Sequence, residues 1–197
     1  MSMARTAEVT RKTGETDIEV NLDLDGTGTY SIDTGVGFFD HMLSALSRHS
    51  LIDMDIKVKG DTWVDDHHTV EDTGIVVGQA LGQALGDKAG IRRFGSIAIP
   101  LDEALTLASV DISGRGELYW DVPIGPDKVG TFDTELAQEF FIGFARQAGI
   151  TLHLKELSGT NAHHIIEATF KACARALRQA VEPDPRVKGV PSTKGEL

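Results

Sequence analysis

The chain has 197 residues and 41% hydrophobic content, enough to bury one proper core, and Asp and Glu outnumber Lys and Arg by 30 to 19 for a formal net charge of -11. That acidic total argues against nucleic acid or an anionic membrane as a partner, and an anionic substrate would need a local cluster of cations. The single cysteine, Cys173, excludes an internal disulfide and reads as a small core residue in a reducing compartment. No apolar run approaches a spanning length, and the start Met1-Ser2-Met3-Ala4-Arg5 has neither signal-peptide nor transit-peptide character, so a cytoplasmic location is expected.

Apolar alternation predicts strands over 4–11 and 16–23, a helix over 38–49, a strand over 51–59 carrying Ile52, Met54, Ile56 and Val58, and a long helix over 67–85. Strands then follow over 96–101, 105–112 and 117–122, a helix over 134–147, a strand over 150–156 and a helix over 161–181. The two runs are similar. Setting His67 against His163 pairs Leu81 with Leu177 and Ala84 with Ala180, and a shift of a few residues pairs Phe38-Phe39 with Phe140-Phe141 and Gly60 with Gly159. One α+β domain over 1–197 is expected, made of pseudo-symmetric halves at about 1–92 and 93–190 and a tail over 191–197, with sheets and helices in separate layers.

The strongest chemical signal lies in the same repeat. His67-His68-Thr69-Val70-Glu71 recurs as His163-His164-Ile165-Ile166-Glu167, 96 residues later. Residues four apart share a helix face while neighbours diverge by about 100°. His67 with Glu71, and His163 with Glu167, can therefore each grip one metal ion, whereas His68 and His164 point toward a different one. His41 and His153 extend the set without a histidine counterpart in the other half. Six imidazoles and two carboxylates, with no thiolate, suit Mn, Fe, Ni or Zn, and octahedral sites with open positions favour Mn(2+). A dinuclear metallohydrolase or a metal-storage or metal-sensing protein would use the same donors.

Longer stretches narrow the choice. The chain contains Asp33-Thr34-Gly35-Val36-Gly37-Phe38-Phe39-Asp40-His41-Met42-Leu43, Asp65-Asp66-His67-His68-Thr69-Val70-Glu71-Asp72, and Gly159-Thr160-Asn161-Ala162-His163-His164-Ile165-Ile166-Glu167-Ala168-Thr169-Phe170-Lys171. With Arg11-Lys12-Thr13-Gly14-Glu15-Thr16 and Pro191-Ser192-Thr193-Lys194-Gly195, these resemble the signatures of imidazoleglycerol-phosphate dehydratase in its monofunctional form. The resemblance implies a hydro-lyase of histidine biosynthesis that converts imidazole glycerol phosphate to imidazole acetol phosphate. It also implies two Mn(2+) ions per active site and a 24-subunit shell with active sites between subunits. The fold it brings is internally duplicated, with helices packed between two four-stranded mixed sheets (ribosomal protein S5 domain 2-like).

Such a dehydration needs help, because no carbonyl or imine acidifies the carbon-bound proton. A metal on a ring nitrogen makes the imidazole easier to ionise, and the imidazolate can expel the neighbouring hydroxyl to give a diazafulvene-like intermediate. The resemblance makes Glu15, Glu71 and Glu167 the catalytic carboxylates, with Glu15 on the carbon-bound proton. It puts Glu15 at the substrate and Arg93, Arg115, Lys171, Ser192 and Lys194 near its phosphate; His49, closing the helix that carries His41, could meet substrate or a metal and is assigned to the substrate. Asp40, Asp65, Asp66 and Asp72 flank the ligands as possible acceptors for imidazole N–H groups. The tail reads by composition as disordered until substrate or a neighbouring subunit orders it.

Overall fold

A computed structural model describes residues 4–197; Met1, Ser2 and Met3, and with them most of the N-terminal segment read above, lie outside the described residues. The first run is β1 (Thr6–Lys12), β2 (Thr16–Asp23), β3 (Tyr30–Asp33), α1 (Gly37–Ser50), β4 (Asp53–Gly60) and α2 (His67–Leu85). The second is β5 (Phe94–Leu101), β6 (Ala104–Asp111), β7 (Glu117–Asp121), the small hairpin β8 (Lys128–Val129) and β9 (Phe132–Asp133), α3 (Leu136–Ala148), β10 (Thr151–Ser158) and α4 (Ala162–Val181).

Two mixed four-stranded sheets result, ordered β1-β2-β4-β3 and β5-β6-β10-β7. In each, the third strand of the run closes the edge by parallel pairing, β3 on β4 and β7 on β10. The fold is α+β with the helices between the sheets, as expected. On the sheet side, α2 rests on β1 and β2 and α4 on β5 and β6; in the middle, α2 meets α3 and α1 meets α4.

Strand 16–23 and helix 67–85 coincide with β2 and α2 to the residue. Both have an unambiguous period: Thr16, Ile18, Val20 and Leu22 are buried in strict alternation. Three strands escaped the sequence reading. In β3 only Ile32 is partly covered, so no apolar alternation marks it, and the two-residue strands of β8 and β9 are too short to carry a period. The strand expected from residue 51 begins at Asp53, because Leu51 caps α1 in the left-handed region at φ 62°.

The core is aromatic where the four helices meet. Phe39, Phe140, Phe141, Phe144 and Phe170 are fully buried, with the Phe170 ring 5.2 Å from Phe140 and 4.6 Å from Phe141. Each contributes on the order of 1.5–3 kcal/mol by leaving water. At the position where α4 carries Phe170, α2 has Gly74, and a Cβ there would lie 2.3 Å from the Phe140 carbonyl oxygen. Glycine thus lets α2 approach α3 almost backbone to backbone. Gly60 and Gly159 do similar work below the histidine doublets: a Cβ on either would collide with the third residue of its doublet segment, Thr69 or Ile165. The pairing of these glycines read from the sequence therefore has one steric cause. Among the described residues, no helix is long and apolar enough to cross a membrane.

Candidate metal centre

Both histidine doublets stand at helix N-termini. Asn161 caps α4, its side-chain oxygen accepting from the backbone N–H of His163 at 2.9 Å and of His164 at 3.3 Å. Before α2, Asp65 accepts from the His67 backbone N–H at 2.8 Å. The first turns are thereby fixed, and the i, i+4 geometry follows.

On α4, His163 Nε2 lies 3.2 Å from Glu167 Oε2, and His41 Nε2, from α1, lies 3.4 Å from the same oxygen. Among the described residues, His41, His163 and Glu167 form the one group of three whose ligand atoms all lie within 4.8 Å of one another. Two imidazole nitrogens and a carboxylate oxygen converging on one point fit a divalent transition-metal ion and leave room for further ligands. Lys171 Nζ donates to the other oxygen of Glu167 at 2.7 Å. Burial pushes the Glu167 pKa up, but the hydrogen bond and charge of Lys171, together with His41, outweigh it and hold the carboxyl below its ordinary value. The group stays anionic, as a ligand must.

The copy on α2 is more open. His67 Nε2 is 3.7 Å from Glu71 Oε2, and among the described residues no third donor joins them. His153 lies exposed on β10, opposite the buried Leu152 and Leu154, with its ring stacked 4.3 Å from Tyr119. The second histidines of the doublets turn elsewhere, as their spacing requires. Nδ1 of His68 lies 3.1 and 3.2 Å from the two oxygens of Asp61, and Nδ1 of His164 lies 2.8 Å from Glu103 Oε2. These hydrogen bonds raise the pKa of His68 and of His164, and the His164 bond pulls Glu103 down to about 2.

Asp61 and Glu103 are therefore the carboxylates that meet Nδ1 of the second histidines, and three of the four aspartates named from the sequence make other contacts. Asp40 accepts from the Thr34 backbone and hydroxyl, Asp65 serves the α2 backbone, and Asp72 binds Thr16 and Arg11. Asp66 has a pKa raised by burial and then by Asp133 and Asp65. Sequence proximity misled here. Asp61 is seven residues and Glu103 sixty-one residues from its histidine, and only the folded sheet brings Glu103 close.

The remaining named residues lie in separate places. Glu15, exposed at the β1–β2 turn, brings Oε1 to 3.7 Å from His68 Nε2. His49, half-buried on α1, has its pKa lowered by burial and then by Lys171 and Arg175. Arg93 holds Asp111 through Nε at 2.7 Å and Nη2 at 3.2 Å, and exposed Arg115 reaches the same carboxylate at 3.7 Å. The tail is not loose, contrary to its composition. Arg93 Nη1 donates to the Pro191 carbonyl at 2.8 Å, Gly90 N–H to Gly189 at 2.9 Å, and Lys88 to Leu197 at 3.3 Å. Ser192 Oγ accepts from the Lys194 backbone at 3.1 Å. Arg93, Arg115 and the tail thus share one patch, while Lys171 is engaged with Glu167 instead.

Comparison with known proteins agrees with these motifs. The family model described as imidazoleglycerol-phosphate dehydratase matches residues 34–177. A protein of that description from Paracoccus denitrificans is 62% identical over 194 residues, covering 98% of this chain and 100% of the relative. One from Ruegeria pomeroyi is 61% identical over 195 residues, with the same coverage. The crystal structure of the dehydratase from Staphylococcus aureus superposes with a TM-score of 0.83 at 40% identity, covering 91% of this chain and 99% of that one. That from Pyrococcus furiosus, in complex with (S)-C348, gives 0.83 at 41% identity, covering 96% and 100%.

Proposed function

The chain belongs to the imidazoleglycerol-phosphate dehydratase family and is a hydro-lyase of histidine biosynthesis; we propose that it dehydrates D-erythro-imidazole glycerol phosphate to imidazole acetol phosphate in the cytoplasm, using two Mn(2+) ions per active site. The observation that carries the metal dependence is the convergence of His41 and His163, from two helices, on a single oxygen of Glu167. We assign His67, His68, Glu71, His153 and His164 as the remaining ligands. Within the described residues these five stay outside the three-donor group, which supports active sites completed between subunits of a 24-mer. Trp63 and Val64, exposed just before α2, offer apolar surface for such a contact. The proposed unit is one domain of two pseudo-symmetric halves with a substrate-contacting tail.

When bound, a divalent ion would acidify the imidazole ring of the substrate and favour its ionised form. Ionisation of the ring would let the hydroxyl on the adjacent carbon depart, by way of a diazafulvene-like species. Glu15, free at a hairpin tip and directed toward the His68 end of the site, takes the carbon-bound proton. Glu71 and Glu167 hold carboxylates beside the reacting ring. Arg93, Arg115, Lys171, Ser192 and Lys194 bind the phosphate, and His49 faces the substrate from α1. The guanidinium of Arg93 is already oriented by Asp111 and Pro191, which limits the side-chain entropy lost on binding.

The test is turnover of imidazole glycerol phosphate by metal-stripped protein before and after addition of Mn(II), following ketone product and free phosphate together. Ketone formation restored by metal without phosphate release is the expected result. Phosphate release would favour a dinuclear hydrolase, and metal binding without either product a storage protein.

A further inference from the structure

The two histidines that follow His67 and His163 are held in the same way by carboxylates from different parts of the fold. His68 meets Asp61, which ends the segment just after β4 and is itself only 6% exposed. His164 meets Glu103, which lies in the tight turn between β5 and β6. In both cases Nδ1 faces the carboxylate, at 3.1 to 3.2 Å for Asp61 and 2.8 Å for Glu103. An ionised carboxylate can only accept hydrogen bonds, so Nδ1 must carry the proton. Nε2 then presents its lone pair on the other side of the ring, away from the anchor. There it faces a second carboxylate, Glu15 Oε1 for His68 and Asp102 Oδ2 for His164, each at 3.7 Å.

Glu103 does more than meet the ring. Its Oε1 accepts from the backbone N–H of Thr160 at 3.2 Å and of Asn161 at 2.8 Å, and from the Thr160 hydroxyl at 3.3 Å. One carboxylate therefore ties the start of α4 to the β5–β6 turn with one oxygen and orients a histidine with the other. Asp61 uses both oxygens on the ring. The two anchors occupy non-equivalent positions in the two runs, so the shared outcome is not a by-product of matched loops.

We infer that Asp61 and Glu103 are positioning residues that fix the Nδ1–H tautomer and ring orientation of His68 and His164, so that Nε2 of each is the metal donor. The assignment rests on the metal reading above, and it adds two residues that never touch the ion or the substrate. Anchors of this kind raise the basicity of the ligand nitrogen and spare the entropy of ordering the ring, and their loss typically weakens metal affinity about 10- to 100-fold.

The experiment uses the full-length protein and its Asp61→Ala, Glu103→Ala and Glu103→Gln variants, with two readouts. One is Mn(II) affinity of metal-stripped protein, followed by electron paramagnetic resonance of the free ion. The other is the tautomer of His68 and His164, read from long-range nitrogen–proton correlations in histidine-labelled, metal-stripped protein. The alanine variants are expected to lose at least about tenfold in affinity, with the Nδ1–H signature of the affected ring lost or averaged. Asn161 retains its own cap on α4 without Glu103, and Glu103→Gln keeps an acceptor for the 160 and 161 amides, so a folded Gln variant with weakened binding separates ring positioning from support of the helix start. Unchanged tautomers, or Mn(II) affinity within about twofold of wild type in the folded variants, would overturn the assignment while leaving the metal reading intact. Failure of the wild-type protein to bind Mn(II) would overturn both.

Discussion

Lys171 Nζ lies 2.7 Å from Glu167 Oε1, one helical turn along α4, so a cation proposed for the substrate phosphate also touches a proposed metal ligand. Replacing it with Met should separate the two roles. The loss of a charge-assisted contact, about 1.5 kcal/mol, should raise KM roughly tenfold. Mn(II) affinity should hold or tighten, because a positive charge near the ion has gone. Steady-state kinetics at saturating Mn(II) and a metal titration read the two effects, and an unchanged KM would remove Lys171 from the phosphate site.

Asp72 is buried beneath the doublet on α2, where it accepts from Thr16 Oγ1 at 2.5 Å and meets Arg11 Nη1 at 2.6 Å. It fastens β1 and β2 to the helix. Asp72→Ala leaves the partly buried guanidinium without its partner and should cost about 2–3 kcal/mol of stability. Urea unfolding of the metal-stripped variant measures this, and a loss below about 0.5 kcal/mol would show the contact to be dispensable.

Cys173 lies at 0% exposure in the aromatic core, and burial pushes its thiol pKa up. The folded protein should resist thiol reagents at neutral pH and react on the timescale of unfolding. The sign for stability follows: as pH rises past the ordinary thiol value, the unfolded chain releases a proton that the folded chain keeps, so stability falls there. Comparing denaturation midpoints of wild type and Cys173→Ala across that pH range checks it. A wild-type profile no steeper than the variant's would contradict the burial argument.

The tail meets Arg93 through the Pro191 carbonyl, at 2.8 Å. Truncation after Val190 removes that contact along with Ser192 and Lys194. KM should rise more than assembly weakens, as read by kinetics and by sedimentation at working concentration. An unchanged KM would exclude the tail from substrate binding.

How far the sequence revealed the site depended on distance along the chain. The pairings of His67 with Glu71 and His163 with Glu167 were legible because a helix repeats every 3.6 residues and both copies begin strongly periodic helices. That His41 would join His163 and Glu167 was not fixed by any spacing, since it depends on how α1 packs on α4. Glu103 shows the limit more sharply. It reaches His164 only because β5, β6 and β10 lie in one sheet beside α4, and no local pattern marks it. The fold class was readable from alternation and repeat, whereas β3, with one partly covered apolar residue, left almost no periodic trace.

The most direct test of the account is a Mn(II) titration of metal-stripped wild type and Glu167→Gln, recording bound metal and ketone formation in the same samples. Wild-type turnover should rise in step with occupancy, and Glu167→Gln should bind far more weakly and stay nearly inactive at wild-type saturating Mn(II), with its fold retained by circular dichroism. Full turnover by metal-free wild type, or wild-type affinity in Glu167→Gln, would contradict a metal centre built on His41, His163 and Glu167.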